Sequence, residues 1–505
     1  MKPIKSALIS VFHKEKIKPL IQTLRKHNIQ IFSTGGTLKA IQEMGYQAKA
    51  VEKLTGYPSV LGGRVKTLHP LVFGGILKRR HEEQDQRDSE TYQIPDIDLV
   101  IVDLYPFTET VAQQATHQES IEKIDIGGIS LIRAAAKNYH DTMVVPSVDY
   151  FDRLLQILDE QQGRTTETQR REMAAAAFAI SSAYDTAIFH YLNAGVEHPG
   201  LRFAEDESRT LRYGENPHQD GVFYGALEEL LEQLHGKEIS YNNIVDIDAG
   251  VQLISEFDQT VFAVLKHTNA CGLAVDQDIT TAWKKALAGD PVSAFGGVLV
   301  TNAVINKAVA EEINKIFFEV LVAPDYDQEA LAVLKQKKNR ILLKQKRPYS
   351  GTKMMKSALN GVLIQDRDVA LTEAVDWKLP TQKQPQENQK SDLLFAMKAV
   401  KHTKSNAIVL VKGNQLLGSG VGQTSRVDAL KQAIEKAQRF GFDLEGAVMG
   451  SDAFFPFADS VEIAHQYGIS AVIQPGGSKR DEDSIRFCDE HQMAMVFTGK
   501  RHFKH

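Results

Sequence analysis

Short apolar runs alternate with helical patterns through residues 1 to about 150, and this alternation restricts the possible folds more than any other feature of the chain. The runs predicted to be strands are Ala7–Phe12, Ile29–Phe32, Leu99–Val102 and Met143–Val145. Between them, segments such as 16–27 and 129–137 have the spacing of amphipathic helices. Strand–helix alternation of this kind predicts an α/β layer with a largely parallel sheet.

The chain has 505 residues, which is too long for one hydrophobic core, so two to four domains are expected. Two further helical patterns, 150–161 and 169–192, follow the alternating region. The next segment, 193–200, contains two glycines and a proline and is typical of a domain boundary. We therefore predict an N-terminal domain over residues 1–198 and a C-terminal domain over residues 199–505.

The C-terminal part shows the same order of elements twice. A helix, two strands, a helix and a loop containing Ala-Phe occur over 248–297, and the same order recurs over 392–457. Such self-similarity predicts a duplicated α/β unit, with copies at roughly 199–375 and 390–505.

Two short sequence features bear on the predicted duplication. Lys266-His267-Thr268 is echoed by Lys401-His402-Thr403, although an echo of three residues also arises by chance. The segment Pro380–Gln389, rich in Gln, Lys and Pro, is interpreted as an exposed loop between the copies. Ser391 is then the candidate cap of a helix that begins at Asp392.

Composition excludes several classes of protein. With 43% hydrophobic residues, 24% charged residues and a net charge of −5, the chain is ordinary globular protein without a field that attracts nucleic acid or an anionic membrane. Two cysteines are too few for a disulfide framework or a cysteine-rich metal site. No apolar segment reaches 18 residues, so we expect a cytoplasmic protein with neither nucleic-acid nor membrane partners.

Several cofactor signatures are also missing from the sequence. There is no Gly-x4-Gly-Lys-[Ser/Thr] loop and no complete Gly-x-Gly-x-x-Gly, which argues against nucleotide cofactors. His81-x-Glu83 and His117-x-Glu119 resemble half of a zinc-deaminase signature, but no Pro-Cys-x-x-Cys follows. We therefore expect neither a metal nor a nucleotide cofactor.

The stretch Lys266–Gly272 directly follows the apolar run Val261–Leu265, which is predicted to be a buried strand. Lys266 and His267 then lie where the strand leaves the sheet, a common place for catalytic side chains. Together they offer a fixed positive charge and a group that titrates near neutral pH, which suits proton transfer around an anionic or carbonyl substrate. The alternative is a strand end with two solvated polar residues.

The segment Ser33–Thr37 follows a predicted strand and opens a helix from Leu38. Glycines allow a tight turn with exposed amides, and a helix N-terminus favours an anion, so the segment is a candidate phosphate cradle. An ordinary capped strand–helix turn explains the same residues.

Two further clusters suggest chemistry in the N-terminal domain. Within Gly62–Pro70, Arg64 and Lys66 would point to the same side of an extended segment and could grip a phosphate or carboxamide. Asp125 and Lys137 flank an amphipathic helix and could supply an acid/base pair. A solvated loop and a capped surface helix are the respective alternatives.

These stretches, taken together, resemble the PurH family of bifunctional purine-biosynthesis enzymes. The matching runs occur in collinear order over nearly the whole chain and are Ser33–Thr37, Gly62–Pro70, Leu104–Phe107, Asp125–Gly128, Arg133–Asn138, Arg212–Gln219, Ser240–Asn243, Lys266–Gly272, Ser293–Gly297, Ser451–Phe457, Pro475–Ser478 and Arg501–Phe503. The resemblance implies an N-terminal cyclohydrolase domain of methylglyoxal-synthase-like fold. It also implies a C-terminal transformylase made of two cytidine-deaminase-like units without zinc.

The family resemblance implies two reactions. A formyl group passes from the cosubstrate 10-formyltetrahydrofolate to the 5-amino group of 5-aminoimidazole-4-carboxamide ribonucleotide (AICAR), and formyl-AICAR then closes to IMP with loss of water. A homodimer that shares the transformylase sites is implied as well. One alternative keeps only the transformylase and makes the N-terminal domain a degenerate phosphate binder. Another treats the chain as a nucleotide-sensing regulatory protein.

The resemblance also assigns residues to each reaction. For formyl transfer it implies catalysis by Lys266 and His267, with substrate contacts from Arg212, Tyr213, Phe295, Gly296, Glu319, Asn406, Arg426, Phe454 and Arg501. For ring closure it implies catalysis by Lys66, Tyr105, Asp125 and Lys137. The remaining ring-closure contacts are assigned to Ser10, Lys14, Ser33, Thr34, Gly35, Gly36, Thr37, Arg64, Val65, Thr67 and Gly127.

The chain departs from the family pattern at three places. Phe12-His13 stands where the family usually has Ser-Asp, and Asp103 replaces the usual Asn before Leu-Tyr-Pro-Phe. Ala270 stands where Pro is usual, which predicts a looser turn after His267. The first two departures bear on how well the N-terminal domain closes the ring.

Overall fold

A computed structural model describes residues 1–196, 198–349, 351–370 and 373–505. The chain divides into two compact units, unit 1 over Met1–Asp206 and unit 2 over Glu207–His505. The domain boundary proposed between residues 198 and 199 lies within the segment that connects the last helix of unit 1 to the start of unit 2.

The elements of unit 1 alternate between strand and helix. Its strands are β1 (Lys2–Pro3), β2 (Ser6–Ser10), β3 (Gln30–Ser33), β4 (Lys49–Ala50), β5 (Leu99–Val102), β6 (Met143–Val145) and β7 (Arg164–Thr165). Its helices are α1 (Lys18–Lys26), α2 (Gly35–Glu43), α3 (Val51–Thr55), α4 (Pro70–Leu77), α5 (Glu83–Thr91), α6 (Phe107–Ala112), α7 (His117–Glu122), α8 (Gly127–Lys137), α9 (Phe151–Glu160) and α10 (Glu167–Asn193).

The main sheet of unit 1 is parallel, with strand order β4-β3-β2-β5-β6. Ala7 pairs with Ile31 on one side and with Leu99 on the other. Strand β5 is buried along its whole length, as expected for a parallel sheet covered on both faces. Parallel strands bring their carboxyl ends to one edge, where β2 ends at Ser10 and β3 ends at Ser33.

Two of the predicted strands, Leu99–Val102 and Met143–Val145, are confirmed with the same bounds. The first strand ends at Ser10 rather than Phe12. The backbone of Val11 bonds instead to the Thr37 side chain, whose hydroxyl accepts the Val11 N–H at 3.1 Å and donates to the Val11 carbonyl at 3.0 Å. The chain therefore leaves the sheet early, and Phe12 lies at its edge.

Unit 2 contains a longer series of elements. Its strands are β8 (Ser208–Leu211), β9 (Gly221–Tyr224), β10 (Leu231–His235), β11 (Val261–Lys266), β12 (Asn269–Val275), β13 (Gly297–Thr301), β14 (Phe318–Ala323), β15 (Ile341–Gln345), β16 (Lys353–Ala358), β17 (Gly361–Asp366), β18 (Ile408–Val411), β19 (Leu416–Gly420), β20 (Val448–Ser451), β21 (Ala471–Gln474) and β22 (Ala494–Phe497). Its helices are α11 (Leu227–Leu230), α12 (Tyr241–Ile254), α13 (Ile279–Gly289), α14 (Lys307–Ile313), α15 (Gln328–Leu334), α16 (Glu387–Lys401), α17 (Arg426–Arg439), α18 (Asp459–Gln466) and α19 (Asp481–Glu490).

The two large sheets of unit 2 repeat one topology. One has the order β10-β15-β14-β13-β11-β12 and the other the order β19-β18-β20-β21-β22. In each, a hairpin is followed by three mutually parallel strands, and the first hairpin strand pairs antiparallel with the first of these three. Ala274 and Gln415 form a bridge between the hairpins, so the two sheets meet at their hairpin edges. The predicted duplication is confirmed.

The two copies also match residue by residue around their hairpins. Gly272 and Gly418 each follow a bulge, and an added Cβ would lie 1.9 Å from the Ala286 carbonyl oxygen or 2.2 Å from that of Ala433. Ala286 and Ala433 occupy the same position in the helices that follow, α13 and α17. Each hairpin therefore packs so closely on its helix that only glycine fits at this point.

The three-residue echo in the sequence does not mark equivalent positions. Lys266 ends strand β11, whereas Lys401 ends helix α16 and His402 is the C-cap of that helix. When the two hairpins are compared by their strand pairing, the position of Lys266 is taken by Lys412. The duplication is present, but the Lys-His-Thr echo does not mark equivalent residues of the two copies.

The polar segment between the copies ends earlier than predicted. Helix α16 begins at Glu387 with Gln386 as its N-cap, so Ser391 lies inside the helix and is not its cap. Gln389 is buried, and its side-chain amide donates to the Ser470 hydroxyl at 2.9 Å. This tertiary contact stabilises the first turn of α16, which the polar composition of the segment does not predict.

The parallel sheet of unit 1 and the repeated arrangement in unit 2 confirm the predicted α/β class. Across the described residues, none of the helices has both the length and the apolar character needed to cross a membrane.

Candidate active sites

A pocket of about 550 Å³ opens at the carboxyl edge of the parallel sheet in unit 1. This edge is the usual place for a ligand in an open α/β sheet. Of the residues predicted for ring closure, the pocket is lined by Ser10, Lys14, Thr34, Gly36, Thr37, Arg64, Lys66, Thr67, Tyr105, Asp125 and Gly127. Segments far apart in sequence thus converge on one site.

The N-terminus of α2 lies at this pocket, because Thr34, Gly36 and Thr37 line it. Backbone N–H groups in the first turn of a helix have no partner within the helix and favour an anion. The Lys14 side chain lies beside them, since a Cβ on Gly36 would be 3.0 Å from Lys14 Cε. A helix terminus and a lysine together form a site suited to a phosphate group.

Lys66 crosses the same part of the pocket between two glycines. A Cβ on Gly63 would lie 2.8 Å from Lys66 Cε, and a Cβ on Gly35 would lie 3.4 Å from Lys66 Nζ. Gly63 also has a φ of 93°, which a larger residue rarely adopts. The two glycines therefore leave room for the ammonium group of Lys66 beside the N-terminus of α2.

Burial raises the pKa values of Asp125 and Tyr105 in this pocket. Burial raises the pKa of Asp125, partly opposed by a hydrogen bond from the Gly128 N–H at 2.6 Å and by the charge of Lys66. Burial, and then the charge of Asp125, raises the pKa of Tyr105. A partly buried carboxyl group beside a lysine is suited to accept a proton from a weak acid.

Aromatic rings and cations form the pocket wall near Phe12. The rings of Phe12 and Tyr105 meet edge to face with centroids 5.8 Å apart. Lys123 Nζ lies 5.3 Å from the Phe12 centroid and 5.8 Å from that of Tyr105. Phe12 thus keeps a place at the site despite departing from the family pattern, and Lys123 adds a cation that the sequence analysis missed.

Three predicted residues do not reach this pocket with their side chains. Ser33 is fully buried, and its hydroxyl donates to the Ile9 carbonyl at 2.8 Å. Val65 forms a bridge with Val60. Lys137 lies at the other end of α8 from Asp125, about 15 Å away by helix rise. It lines a separate apolar depression of about 650 Å³.

Tyr184 on α10 is a further residue that the sequence analysis missed. Its hydroxyl accepts the Asp125 N–H at 2.9 Å and donates to the Lys123 carbonyl at 2.7 Å. Burial raises the pKa of Tyr184 to about 12, so it remains a neutral donor and acceptor. It fixes the backbone that carries Asp125, and only the tertiary structure reveals this because the two residues are 59 positions apart.

In unit 2, Lys266 and His267 lie at the tip of the hairpin formed by β11 and β12. The ammonium group of Lys266 donates to the carbonyl oxygens of Phe295 at 2.9 Å and Gly296 at 3.2 Å. The His267 side chain is exposed beside it. The strand end predicted to carry chemistry is therefore confirmed as a strand end, and it holds the Lys266 side chain next to Phe295 and Gly296.

The Phe295 segment connects this hairpin to the start of β14. The rings of Phe295 and Phe317 have centroids 5.2 Å apart, and the Gly296 N–H donates to the Phe317 carbonyl at 2.8 Å. Glu319 follows two residues later and pairs with Lys237, with 2.6 Å between Oε2 and Nζ. Phe295 itself is 64% exposed, which leaves one face free to stack on a planar ligand.

Asn406 approaches the hairpin from the second copy. The Lys404 N–H donates to the Asn269 side-chain oxygen at 2.9 Å, which joins this segment to the hairpin. Asn406 accepts a hydrogen bond from Arg426 Nη2 at 3.0 Å, and its amide donates to the Gln423 carbonyl at 2.9 Å. Its side chain is therefore fixed in one orientation.

Arg426 is itself buried and pairs with the fully buried Asp452. Its guanidinium also donates to the Ser451 hydroxyl at 2.9 Å and to Asn406. The group is thus occupied by protein partners, and its role within this chain is to orient Asn406 and neutralise Asp452. Contact with a ligand, as the family resemblance implies, remains a proposal.

The other predicted residues lie on the loops around this cluster. Arg501 stacks on the ring of Phe503 at 4.4 Å, and the N–H of its neighbour His502 donates to the Asp452 carbonyl at 3.0 Å. Phe454 follows Asp452 by two residues and is 38% exposed. These contacts bring Arg501 and Phe454 to the segment that holds Arg426.

Arg212 and Tyr213 lie on the loop between β8 and β9. The Arg212 guanidinium lies 4.7 Å from the Tyr213 ring centroid and donates to the Tyr213 hydroxyl at 2.8 Å. Asn242, at the start of α12, donates to the Glu215 carbonyl of the same loop at 3.1 Å. The loop is therefore held at the N-terminal end of α12, the helix that contacts the Lys266 hairpin.

The described part of the chain holds no group of three or more His, Cys, Asp and Glu side chains that could bind a metal ion. Burial raises the pKa of both Cys271 and Cys488 to about 12, so both thiols stay protonated at neutral pH.

Comparison with known proteins places these sites in a family. Residues 16–130 match the model of the MGS-like domain, and residues 135–436 match that of the AICARFT/IMPCHase bienzyme. The chain is 60% identical to the bifunctional purine biosynthesis protein PurH of Bacteroides thetaiotaomicron over 100% of its own length and 99% of the relative.

More distant relatives carry the same name. The PurH proteins of Halalkalibacterium halodurans and Aquifex aeolicus are 46% and 45% identical over 99% of this chain and 99% and 100% of their own. Identity at this level over the full length, together with the two family models, establishes membership. The chain belongs to the AICARFT/IMPCHase bienzyme family of bifunctional purine biosynthesis proteins.

Proposed function

We propose that the pocket of unit 1 closes formyl-AICAR to IMP and that the hairpin cluster of unit 2 transfers the formyl group. As a member of its family, the chain is a bifunctional enzyme of purine biosynthesis with AICAR formyltransferase and IMP cyclohydrolase activities. The observation that carries the assignment is the presence, in each unit, of a lysine beside a proton-accepting group at a strand-end site. The transformylase-only and regulatory alternatives lack comparable support.

Ring closure requires attack of the carboxamide nitrogen on the formyl carbon, followed by loss of water. The amide is a weak acid, so a base must take its proton as the new carbon–nitrogen bond forms. Asp125 is proposed as that base, since burial makes its carboxylate a stronger proton acceptor. Lys66 and Tyr105 stabilise the developing negative charge on the formyl oxygen and protonate it to a hydroxyl group. This hydroxyl then leaves as water with a second proton, while the former formamide nitrogen loses its proton and the C=N bond of the ring forms.

The ribose phosphate of this substrate is assigned to the N-terminus of α2. The backbone N–H groups there and the ammonium group of Lys14 supply positive potential at the same place. Arg64 is exposed at the rim, where it pairs with Glu122. The phosphate thereby fixes the nucleotide so that its reacting carboxamide faces Asp125.

Formyl transfer is assigned to Lys266 and His267. The 5-amino group of AICAR attacks the formyl carbon and gives a tetrahedral intermediate, and the bond from that carbon to the folate nitrogen then breaks. His267 takes the proton lost by the amine. The positive charge of Lys266 stabilises the oxyanion and supports protonation of the departing folate nitrogen, which leaves as the N–H of tetrahydrofolate. Asn406, whose side chain is held by Arg426, is assigned to the surroundings of the formyl group.

The formyl donor is proposed to be 10-formyltetrahydrofolate, consistent with the folate cosubstrate that formyltransferase activity implies. Phe295, 64% exposed beside Lys266, offers a face for stacking with the pterin or imidazole ring. Glu319 and Phe454 are assigned to the folate and nucleotide surroundings. Arg212, Tyr213 and Arg501 are assigned to AICAR.

We also propose that the enzyme acts as a homodimer. Lys137 is exposed and lies outside the pocket of its own chain, in a depression that includes the partly exposed apolar side chains of Leu77 and Phe178. A second copy seated on this surface would bury the apolar side chains and bring Lys137 to the pocket of its neighbour. The oligomeric state can be checked by analytical ultracentrifugation.

An assay of the full chain with AICAR and 10-formyltetrahydrofolate tests the proposed function. Folate consumption and IMP formation are followed separately, with the spontaneous cyclisation of formyl-AICAR as the baseline. We expect both signals, with IMP formed well above the baseline. Folate consumption without accelerated IMP formation would restrict the function to formyl transfer, and no folate consumption would refute the transformylase assignment.

A further inference from the structure

The turn that carries His267 has an unusual composition for its backbone geometry. Lys266 pairs with Asn269, which leaves His267 and Thr268 as the two central residues of a hairpin turn. Both have positive φ, 50° for His267 and 65° for Thr268. Positive φ at both positions is typical of a type I′ turn, which strongly prefers Asn and Gly. A β-branched residue such as Thr268 is disfavoured there.

The second copy in unit 2 builds the same turn from the preferred residues. Its central residues are Gly413 and Asn414, with φ of 62° and 54°, and the Lys412 N–H donates to the Gln415 carbonyl at 3.2 Å. The fold therefore imposes one turn geometry in both copies. Only the first copy places a β-branched residue, Thr268, in that geometry.

An aspartate holds the turn in each copy. Asp246, the sixth residue of α12, accepts the Thr268 N–H at 2.6 Å. Asp392, the sixth residue of α16, accepts the N–H groups of Gly413 at 2.9 Å and Asn414 at 2.6 Å. The two carboxylates occupy equivalent places, so the contact belongs to the duplicated architecture.

We propose that Asp246 is a positioning residue for formyl transfer, which fixes the strained His267-Thr268 turn and thereby the direction of the Lys266 and His267 side chains. This inference rests on the proposed function of the hairpin. The turn is also held from its other side, where the Asn269 amide donates to the His267 carbonyl at 2.8 Å. Without the carboxylate, the turn loses the hydrogen bond that stabilises the disfavoured φ of Thr268. The side chains of Lys266 and His267 then lose their fixed geometry.

Burial is consistent with this role. Asp246 is partly buried, and burial raises the pKa of its carboxyl group, while the Thr268 N–H and the charges of His267 and Lys266 oppose that rise. Asp246 is thus surrounded by the groups that it is proposed to position. The hydrogen bond that it accepts from the Thr268 N–H offsets the free-energy cost of burying its carboxylate.

The test compares four variants of the full-length enzyme by transformylase kcat and KM, with formyl-AICAR cyclisation as the internal control for intact protein. We expect Asp246→Ala to lower transformylase kcat by about 10- to 100-fold, with KM for AICAR changed less than about threefold. Asp246→Asn keeps an acceptor oxygen and should retain most of the activity. Adding Thr268→Gly to Asp246→Ala should restore kcat at least about fivefold, because glycine adopts positive φ without strain.

Asp392→Ala is the matched control. It removes the equivalent contact from a turn that Gly413 and Asn414 favour, so transformylase kcat should stay within about twofold of wild type. An equal loss in Asp392→Ala and Asp246→Ala, no loss in Asp246→Ala, or no recovery with Thr268→Gly would overturn the proposal.

Amide hydrogen exchange separates this proposal from the function on which it rests. Faster exchange over residues 266–270 in Asp246→Ala, but not in Asp246→Asn, is expected whether or not the wild type transfers formyl. If the wild type lacks formyl transfer, the proposed function fails and the role in catalysis falls with it. If exchange at the turn is unchanged, the positioning role is refuted.

Discussion

His13 and Asp103 form a hydrogen-bonded pair at the pocket of unit 1. His13 Nδ1 lies 2.7 Å from Asp103 Oδ2, and the same oxygen accepts the His13 backbone N–H at 3.0 Å. The family usually has Asp at the position of His13 and Asn at the position of Asp103. In this chain the carboxylate is therefore at the second position. These two departures, which the sequence presents separately, are therefore in direct contact in this chain.

This contact predicts that the two positions tolerate joint change better than single change. His13→Asp alone sets two carboxylates side by side, so we expect IMP binding to weaken by about tenfold. The double variant His13→Asp with Asp103→Asn restores the family pair and should bind IMP within about threefold of wild type. Calorimetric titration with IMP measures both, and strictly additive effects would show that the positions are independent.

Asp125 is expected to lower the stability of unit 1 at neutral pH. Its pKa is raised by burial, so the folded state binds more protons than the unfolded state between the two pKa values. The protonated carboxyl group of Asp125 favours the folded state relative to the ionised one. This contribution is present below the pKa that Asp125 has in the unfolded state and is lost as pH rises through its pKa in the folded state. Asp125→Asn should therefore raise the Tm of unit 1 at pH 7.5 by about 2 °C or more while lowering cyclohydrolase kcat by about 100-fold or more.

The control for this experiment is Glu90→Gln, which removes an exposed carboxylate on α5. Calorimetry from pH 4 to 8 should show the gain for Asp125→Asn growing as pH rises, and no such trend for Glu90→Gln. A lower Tm for Asp125→Asn at pH 7.5 would show that the ionised carboxylate stabilises the fold instead.

Arg426 should be needed for stability as well as for formyl transfer. Arg426→Ala leaves the buried Asp452 without its partner, which is expected to cost about 3–5 kcal/mol in the free energy of unfolding. It also frees Asn406, so transformylase activity should fall. Arg439→Ala on the same helix removes only an exposed pair with Glu435 and should change stability by less than about 1 kcal/mol.

Chemical denaturation followed by a probe in unit 2 measures both variants. Arg426→Ala with Asp452→Asn should recover part of the lost stability, because the unpaired charge is gone. Equal stability of Arg426→Ala and Arg439→Ala would mean that the buried pair contributes nothing beyond an exposed one.

Lys137 should act in the pocket of a second copy. Lys66→Ala and Lys137→Ala are each expected to lose cyclohydrolase activity when assayed alone. After unfolding and refolding together, about a quarter of wild-type activity should return, since half of randomly paired dimers are mixed and each has one complete site. A mixture of Lys66→Ala with Asp125→Asn should stay inactive, because both residues belong to one pocket. No recovery in the first mixture would place Lys137 elsewhere.

Local sequence patterns were enough to predict much of the fold. The strands β5 and β6 have the predicted bounds, since a short apolar run is a local signal. The start of α16 was missed because the contact between Gln389 and Ser470 spans 81 residues. Tertiary contacts of this kind have no local signature.

The difference between local sequence signals and tertiary contacts also explains which residues of the two candidate active sites could be predicted. The strand-end placement of Lys266 follows from a local pattern, and the pocket residues of unit 1 follow from motifs of a known family. Tyr184, Lys123 and Asp246 were missed because each acts through contacts made only after folding. The equivalence of Lys266 and Lys412 was likewise hidden, since strand pairing defines it and residue identity suggested another match.

The most direct test of the central claim, two activities at two separate sites, uses a reciprocal pair of variants. His267→Ala and Lys66→Met are each assayed with AICAR plus 10-formyltetrahydrofolate and, separately, with formyl-AICAR. We expect His267→Ala to lose formyl transfer by about 100-fold or more while closing formyl-AICAR at the wild-type rate. Lys66→Met should consume folate normally and accumulate formyl-AICAR. Loss of both activities in either folded variant would contradict the account.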